Sequence, residues 1–271
     1  MKYDIVRRTR TMSHEEAQRI YLGRRAPNMD PDIIDPTVVI DQQTGIPILG
    51  YLPVTPIAAL RRAVLQTKMT TTYRAGNGMS NVSRTFGMAP RKPTQWREAC
   101  APTSLALESP EVTATLVDYA QVLADMMREF VPVQVRSDVS VIEQVLPEWR
   151  LSEQALWTSG VINKTSQLPY HTDKFNFDAW VAMICLRRKV GGGHLHIPEY
   201  DLTVGCRDGY AVFWSGYRLI HGVTPIHLAT KEGYRYTVVY YALKGMKDCF
   251  THAVETETAR KRRTEREHVT P

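Results

Sequence analysis

The chain has 271 residues, 43% of them hydrophobic, enough to bury a sizeable core in one large domain or a domain with an extension. No window approaches eighteen consecutive apolar residues, which excludes a membrane-spanning helix. The opening MKYDIVRRTRTMSHEEAQ lacks the apolar stretch of a secretory signal, so a cytoplasmic location is expected. The net charge of +6 is uneven: residues 61–97 carry eight Lys and Arg and no acid, leaving −2 on the other 234, a footprint expected of phosphate contacts.

Ser13, with Glu16 three residues on, forms a capping box that predicts a short helix. The run VVIDQQTGIPILG predicts a hairpin turning at Gly45, and residues 54–67 a helix with Pro56 in its first turn. The stretch TTTYRAGNGMSNVSRTFGMAPRKP has no sustained periodicity and predicts a long loop. Its basic charge and its aromatics, Tyr73 and Phe86, mark that loop as functional. Ser109 at an N-cap and Pro110 at the first helical position open the clearest helix, spanning 109–131. Val112, Leu116, Tyr119, Leu123, Met126, Met127 and Phe130 follow at three- and four-residue spacing, as a face that braces a sheet.

From residue 139 the pattern changes to short β-type runs: VSVIEQVL, AWVAMICLRR, HLHI, DLTVGC, YAVFW, LIHGV and RYTVVYYAL. Many short strands without intervening helices predict an antiparallel sandwich or barrel. The expected organisation is α+β: an N-terminal helical and loop extension (1–138), a β-core (139–250), and a charged tail (251–271) that is a polar helix or disordered. Cys100, Cys185, Cys206 and Cys249 are scattered with no C-x-x-C pair, which predicts reduced, core-packed thiols.

His171 and Asp173 stand at i and i+2, which on a strand points both side chains the same way. His221, 48 residues after Asp173, completes a two-histidine, one-carboxylate set that leaves one face of an iron(II) ion open. Arg235, fourteen residues later, offers a bidentate clamp for a carboxylate, with the Thr237 hydroxyl on the same strand face. His194 and His196 form a second same-face pair. The gap to Glu199 is too short for a cupin-type H-x-H…E site, so both are expected at exposed or pocket-rim positions. Asn163, eight residues before His171, has two readings: a residue lining the same pocket or, as the plainer one, a turn-forming asparagine.

The order H-x-D, distal H and R-x-T resembles the 2-oxoglutarate- and iron(II)-dependent dioxygenases on a double-stranded β-helix, over roughly residues 160–243. The segment GGGHLHIPEY is similar to their G-G-x-L strand. The closer resemblance is to the TET/JBP branch, which oxidises the 5-methyl group of pyrimidines in nucleic acid. It implies that Fe(II), 2-oxoglutarate and O2 are used, that DNA is the partner, and that a double-stranded β-helix core is braced by helices of the N-terminal half. Within it, Asn176, three residues after the metal aspartate, is the base-contacting residue. Tyr241, six residues after the cosubstrate arginine, is the base-stacking one. Tyr240 and Tyr241 adjoin and face opposite sides, and an irregularity at the strand end is expected to bring Tyr241 to the arginine's face. Vertebrate members carry a base-contacting histidine eight residues after that arginine, where this chain has Leu243, and a cysteine-rich zinc region absent here. The resemblance is therefore to compact phage-type enzymes, with 5-methylcytosine the first expectation and thymine the second.

Extrusion of a base also requires phosphate and base contacts around the site, for which Arg74, Asn81 and Arg84 of the basic segment are the candidates. Two alternatives share fewer of these features: a 2-oxoglutarate-dependent hydroxylase of a protein side chain or small molecule, and a nucleic-acid-binding module with an inactive core.

Overall fold

A computed structural model of the chain describes the backbone of residues 2–74, 79–92 and 97–269, and side-chain surroundings for all of these except residues 72–81 and 266–269. In chain order the elements are β1 (Asp4–Arg8), α1 (His14–Tyr21), β2 (Thr37–Asp41), β3 (Pro47–Pro53), α2 (Ala58–Gln66), β4 (Thr70–Arg74), β5 (Met79–Ala89), β6 (Ala101–Pro102), α3 (Ser104–Glu108), α4 (Pro110–Phe130) and α5 (Pro132–Ile142). Then follow β7 (Ser159–Lys164), β8 (Val181–Arg188), β9 (Val190–Gly192), β10 (Leu195–Ile197), β11 (Leu202–Val204), β12 (Tyr210–Trp214), β13 (Gly222–Val223), β14 (Ile226–Leu228), β15 (Tyr234–Tyr241) and α6 (His252–Val269).

Nine strands form one large sheet in the order β1-β2-β3-β12-β8-β15-β7-β5-β4, with β6 as a tenth on β5. Only β1–β2 pair in parallel within it. A smaller sheet, β11-β10-β13, packs across its inner face, and β9–β14 form a third ribbon. Alternation along each central strand explains how both faces of the large sheet are used. Val181, Met183 and Cys185 of β8, with Val212 and Trp214 of β12, join Leu195, Ile197, Leu202 and Val204 in a core between the two sheets. Ala182, Ile184 and Leu186, with Ala211 and Phe213, point the other way, into a second core roofed by α2 and α4. The antiparallel double layer is the expected double-stranded β-helix, closed on its outer face by helices.

The stripe predicted on α4 is the face that packs: Val112, Leu116, Tyr119, Leu123, Met126, Met127 and Phe130 are all buried. The Tyr240 hydroxyl of β15 donates to Leu116 O at 3.0 Å, stitching that helix to the sheet. Ser13 caps α1 by accepting from the Glu16 amide at 3.1 Å. Ser109 makes no such side-chain bond, so α4 starts on Pro110 alone.

Three expectations are corrected. VSVIEQVL is not a strand: its first half ends α5, where the stretch from Pro132 continues helical after a break at Val131. The long basic "loop" is largely the antiparallel pair β4–β5, with Thr70 opposite Ser83, and β5 in turn pairs β7. Its Thr, Ser and Asn content hid a strand whose neighbours come from elsewhere in the chain. The first 138 residues thus complete the large sheet as well as bracing it. Finally, Cys100 and Cys249, 149 residues apart, form a disulfide, while Cys185 and Cys206 are buried and free. The segment after β15 folds back beside residues 99–102. Glu255 of α6, itself buried, anchors it by accepting from the Cys100 and Phe250 amides at 2.9 and 2.8 Å and pairing with Arg91. Most of the tail is therefore helix α6. Among the described residues no helix is long and apolar enough to cross a membrane.

Asp138 of α5 is fully buried and accepts from Gln134 Nε2 at 2.8 Å and the Trp180 amide at 3.2 Å. Burial outweighs these bonds and pushes its carboxyl up to about 7. A raised folded-state value means stability present below the unfolded value of about 4 and lost as pH rises toward 7. Asp138→Asn should abolish that loss. The melting temperature of the variant relative to wild type is expected to climb between pH 4 and 8, and a pH-independent difference would refute this.

Candidate metal and cosubstrate site

His171 and His221 lie on adjacent segments joined by a reciprocal pair of backbone bonds. Each amide donates to the other's carbonyl at 3.0 Å, and the rings stand 4.3 Å apart. Each ring also has the same local anchor, its Nδ1 donating to a carbonyl two residues back: Pro169 O at 2.8 Å and Leu219 O at 3.0 Å. That contact fixes the tautomer and leaves Nε2 with its lone pair available for a metal. Burial against Trp214, with His171 close by, pushes His221 down to about 3, which keeps the imidazole neutral.

Asp173 completes the set. Its Oδ1 is 3.6 Å from His171 Nε2, and the donor atoms of His171, Asp173 and His221 all lie within 4.8 Å of one another. The Asp173 amide donates to Gly216 O at 2.8 Å, and a β-carbon at position 216 would collide with Asp173 Oδ2. Gly216 is thus the clearance that lets the carboxylate sit beside the two imidazoles, a role no spacing rule in the sequence revealed.

The three residues open into a cavity of about 400 Å³ whose walls include Arg235, Thr237, Val239, Tyr241, Asn163, Asn176 and Leu243. Arg235 is 1% exposed, and its Nε and Nη2 are buried with no hydrogen-bond partner among the described residues. A buried guanidinium with unsatisfied donors is costly, so the site is built for an anion that supplies acceptors. Gly193, at φ +68°, makes the room: a β-carbon there would lie 2.7 Å from Arg235 Nε. Thr237 Oγ1 accepts from Asn163 Nδ2 at 3.5 Å, at the long limit for a hydrogen bond. Two imidazole Nε2 atoms, a carboxylate and an orphaned guanidinium in one pocket suit an iron(II) ion with a dicarboxylate cosubstrate.

The structure brings His171, Asp173, His221, Arg235, Thr237, Asn176 and Tyr241 to one cavity. Tyr241 needs no strand irregularity. Six residues from Arg235 is an even step, so Arg235, Thr237, Val239 and Tyr241 share one face, while Tyr236, Val238 and Tyr240 enter the helix-roofed core. Asn163 is in β7, opposite Thr237 and Ser83, not in a turn.

Arg84 does not reach the cavity. It lies one residue out of phase with Ser83, on the helical side, and Nη2 pairs with Glu108 Oε2 at 2.5 Å. The side chains of Arg74 and Asn81 fall outside the described residues. Arg61 and Arg91 of the same basic segment pair with Asp208 and Glu255, so the missing acids are supplied from distant sequence. His196 is 3% exposed and faces away from the cavity, with Nδ1 2.5 Å from the Tyr170 hydroxyl. It is a core residue, not the rim residue expected.

Sequence reasoning missed Trp214, which packs edge-on against His221. It also missed Lys174 and Phe175 at the pocket, where Phe175 is 81% exposed. Their position inside PYHTDKFNF was the available signal.

No protein-family model matches the chain, and no curated protein does. Solved structures do. NgTET1 in complex with 5mC DNA aligns with a TM-score of 0.61 over 96% of this chain and 91% of that one, at 15% identity. Looser matches are an oxidoreductase of the 2OG-Fe(II) oxygenase family from Burkholderia pseudomallei (TM-score 0.44, 13% identity, 72% and 88% covered) and OsALKBH1 (0.40, 15%, 68% and 91%). The NgTET1 alignment, spanning nearly the whole of both chains, shows that this chain shares the fold of NgTET1.

Gly216→Ala should displace the Asp173 carboxylate and weaken cobalt(II) binding by at least about tenfold, the usual scale for disturbing a ligand's support. Equal affinities in a Co(II) absorption titration would show that Asp173 does not depend on this clearance.

Proposed function

We propose that this protein is an iron(II)- and 2-oxoglutarate-dependent dioxygenase that oxidises the 5-methyl group of a methylated pyrimidine in DNA, 5-methylcytosine first and thymine second. The observation that carries the reading is the conjunction, in one cavity, of the His171–Asp173–His221 donor set and the orphaned Arg235 guanidinium. Bound iron(II), with 2-oxoglutarate and O2, supplies hydroxylation of a C–H bond, the cosubstrate leaving as succinate and CO2.

In this reading His171, Asp173 and His221 hold the metal from one side and leave the cavity side open. Arg235 takes the far carboxylate of 2-oxoglutarate in a bidentate pair, with the Thr237 hydroxyl, oriented by Asn163, beside it. Aliphatic Val161, Met183, Leu195 and Val223 exclude water from that end. The other end of the cavity serves the base: the Tyr241 ring stacks on it and the Asn176 side-chain amide hydrogen-bonds its edge. Asn176 is 6% exposed and held in place by its own amide, which donates to Asp173 O at 3.0 Å, so base reading is mechanically tied to the metal aspartate. Leu243 lies beside it and offers only apolar contact, which fits a site that grips a methyl group and distinguishes cytosine from thymine weakly. Lys174 at the mouth, and Lys244, whose Nζ sits 3.9 Å over the Tyr217 ring, are cations suited to the flanking phosphates. The DNA substrate is further supported by the likeness to NgTET1, itself solved with 5mC DNA. Further rounds on the same carbon would give formyl and carboxyl products.

The test is incubation with methylated and unmethylated DNA, iron(II) and 2-oxoglutarate, followed by nucleoside mass spectrometry. A 5-hydroxymethyl product is expected from methylated DNA. His171→Ala should abolish it while leaving salt-dependent DNA binding intact, and Tyr241→Ala or Asn176→Ala should each cost about 1–3 kcal/mol in kcat/KM. Turnover of 2-oxoglutarate that is indifferent to DNA, with no modified nucleoside, would move the substrate to a protein side chain or a small molecule.

A further inference from the structure

The residues immediately before the two histidines, Tyr170 and Ile220, are buried together in a small core of their own. Ala17 and Ala26 complete it, and Met12 and Tyr21 pack against it. Residues 12–26 therefore do not belong to either large core; they back the paired His171 and His221 segments from behind. The backbone is tied as well: Gly23 N donates to Tyr170 O at 2.8 Å, and Tyr170 N to Arg24 O at 2.9 Å.

On the His221 side the tie is a side chain. Glu199, fully buried, accepts the Ile220 amide on Oε1 at 3.0 Å. The same oxygen accepts from His14 Nδ1 of α1 at 3.0 Å, and His14 Nε2 accepts from Gln18 Nε2 at 2.8 Å, so each ring nitrogen of His14 has its partner. Thr11 N also donates to Glu199 O at 2.8 Å. Glu199 Oε2 is buried with no hydrogen-bond partner among the described residues. A carboxylate in this place costs desolvation that an apolar side chain of equal volume would avoid. What an apolar side chain could not do is hold the amide one residue before His221 at a set distance from α1.

We propose that Glu199, clamped by His14, is a positioning residue for the metal site, through which α1 fixes the His221 strand against its His171 partner. The proposal rests on reading His171, Asp173 and His221 as the metal triad. It touches no ligand directly. Its effect passes through the Ile220 amide to the backbone of His221, and so to the direction of Nε2.

The test is cobalt(II) titration of the full chain, read by visible absorption, beside a thermal melt of each variant. Glu199→Ala should bind Co(II) about tenfold more weakly and shift the absorption band, on the scale seen when an outer partner of a ligand is lost. Glu199→Gln, which keeps an acceptor for the Ile220 amide, should restore most of the affinity. His14→Ala, at a partly exposed position, should weaken binding severalfold and decides the matter if Glu199→Ala does not fold. Tyr119→Phe, which removes the hydroxyl bonded to Pro56 O on the helical side, should lower the melting temperature without changing Co(II) affinity. Glu199→Ala and His14→Ala both binding within twofold of wild type would overturn the proposal with the triad intact. A wild-type protein that takes up no Co(II), or a His221→Ala variant that still binds it fully, would overturn the triad reading first and the proposal with it.

Discussion

The reciprocal backbone bonds between His171 and His221 are the contact on which the site depends. Two segments that are remote in sequence and irregular in structure meet there at a two-residue bridge, flanked by bonds from the Val223 amide to Leu168 O and from the Asp173 amide to Gly216 O. Neither segment is part of a long strand at that point, so neither imposes the geometry on the other. What makes the bridge rigid is its backing: Tyr170 and Ile220 in a shared apolar cluster, Glu199 on the Ile220 amide, and the carbonyls of Pro169 and Leu219 on the two rings. The imidazoles then need little reorganisation to offer two Nε2 lone pairs to one ion.

The other half of the site is set by alternation on β15. Every second residue from Arg235 to Tyr241 faces the cavity, and the residues between them anchor the strand in the helix-roofed core. One strand thereby joins the cavity wall to the helix-roofed core. The Tyr240 hydroxyl bonded to Leu116 O ties that strand to α4. Glycines do complementary work where side chains would obstruct: Gly193 beside the Arg235 guanidinium and Gly216 beside the Asp173 carboxylate.

The basic segment shows why charge along a sequence is a poor guide to charge in space. Residues 61–97 contain no acid, yet Arg61, Arg84 and Arg91 pair with Asp208, Glu108 and Glu255. The lysine that lines the pocket, Lys174, lies outside the segment that composition singled out. The disulfide makes the same point about cysteines. Cys100 and Cys249 carry no local motif, and only the return of the C-terminal segment past residues 99–102 pairs them.

By itself the sequence determined the features that short-range periodicity encodes. These include the apolar stripe of α4, the hairpin β2–β3, the run of short strands from β8 to β15, and the i, i+2 placement of His171 and Asp173. The order of His221, Arg235 and Thr237 was legible too, because it repeats a known pattern at known separations. Tertiary structure alone decided the matters that depend on which distant segments meet. It made a polar Thr- and Ser-rich stretch into β4–β5 by giving it β7 as a neighbour, and turned VSVIEQVL into the end of a helix. It sent Arg84 to Glu108 and left two donors of Arg235 without a partner among the described residues. The physical reason is that burial and hydrogen-bond satisfaction are properties of a place, not of a residue type. A guanidinium reads identically in sequence whether the fold meets its donors, as Asp208 and the Tyr234 hydroxyl do at Arg61, or leaves two of them unmet among the described residues, as at Arg235.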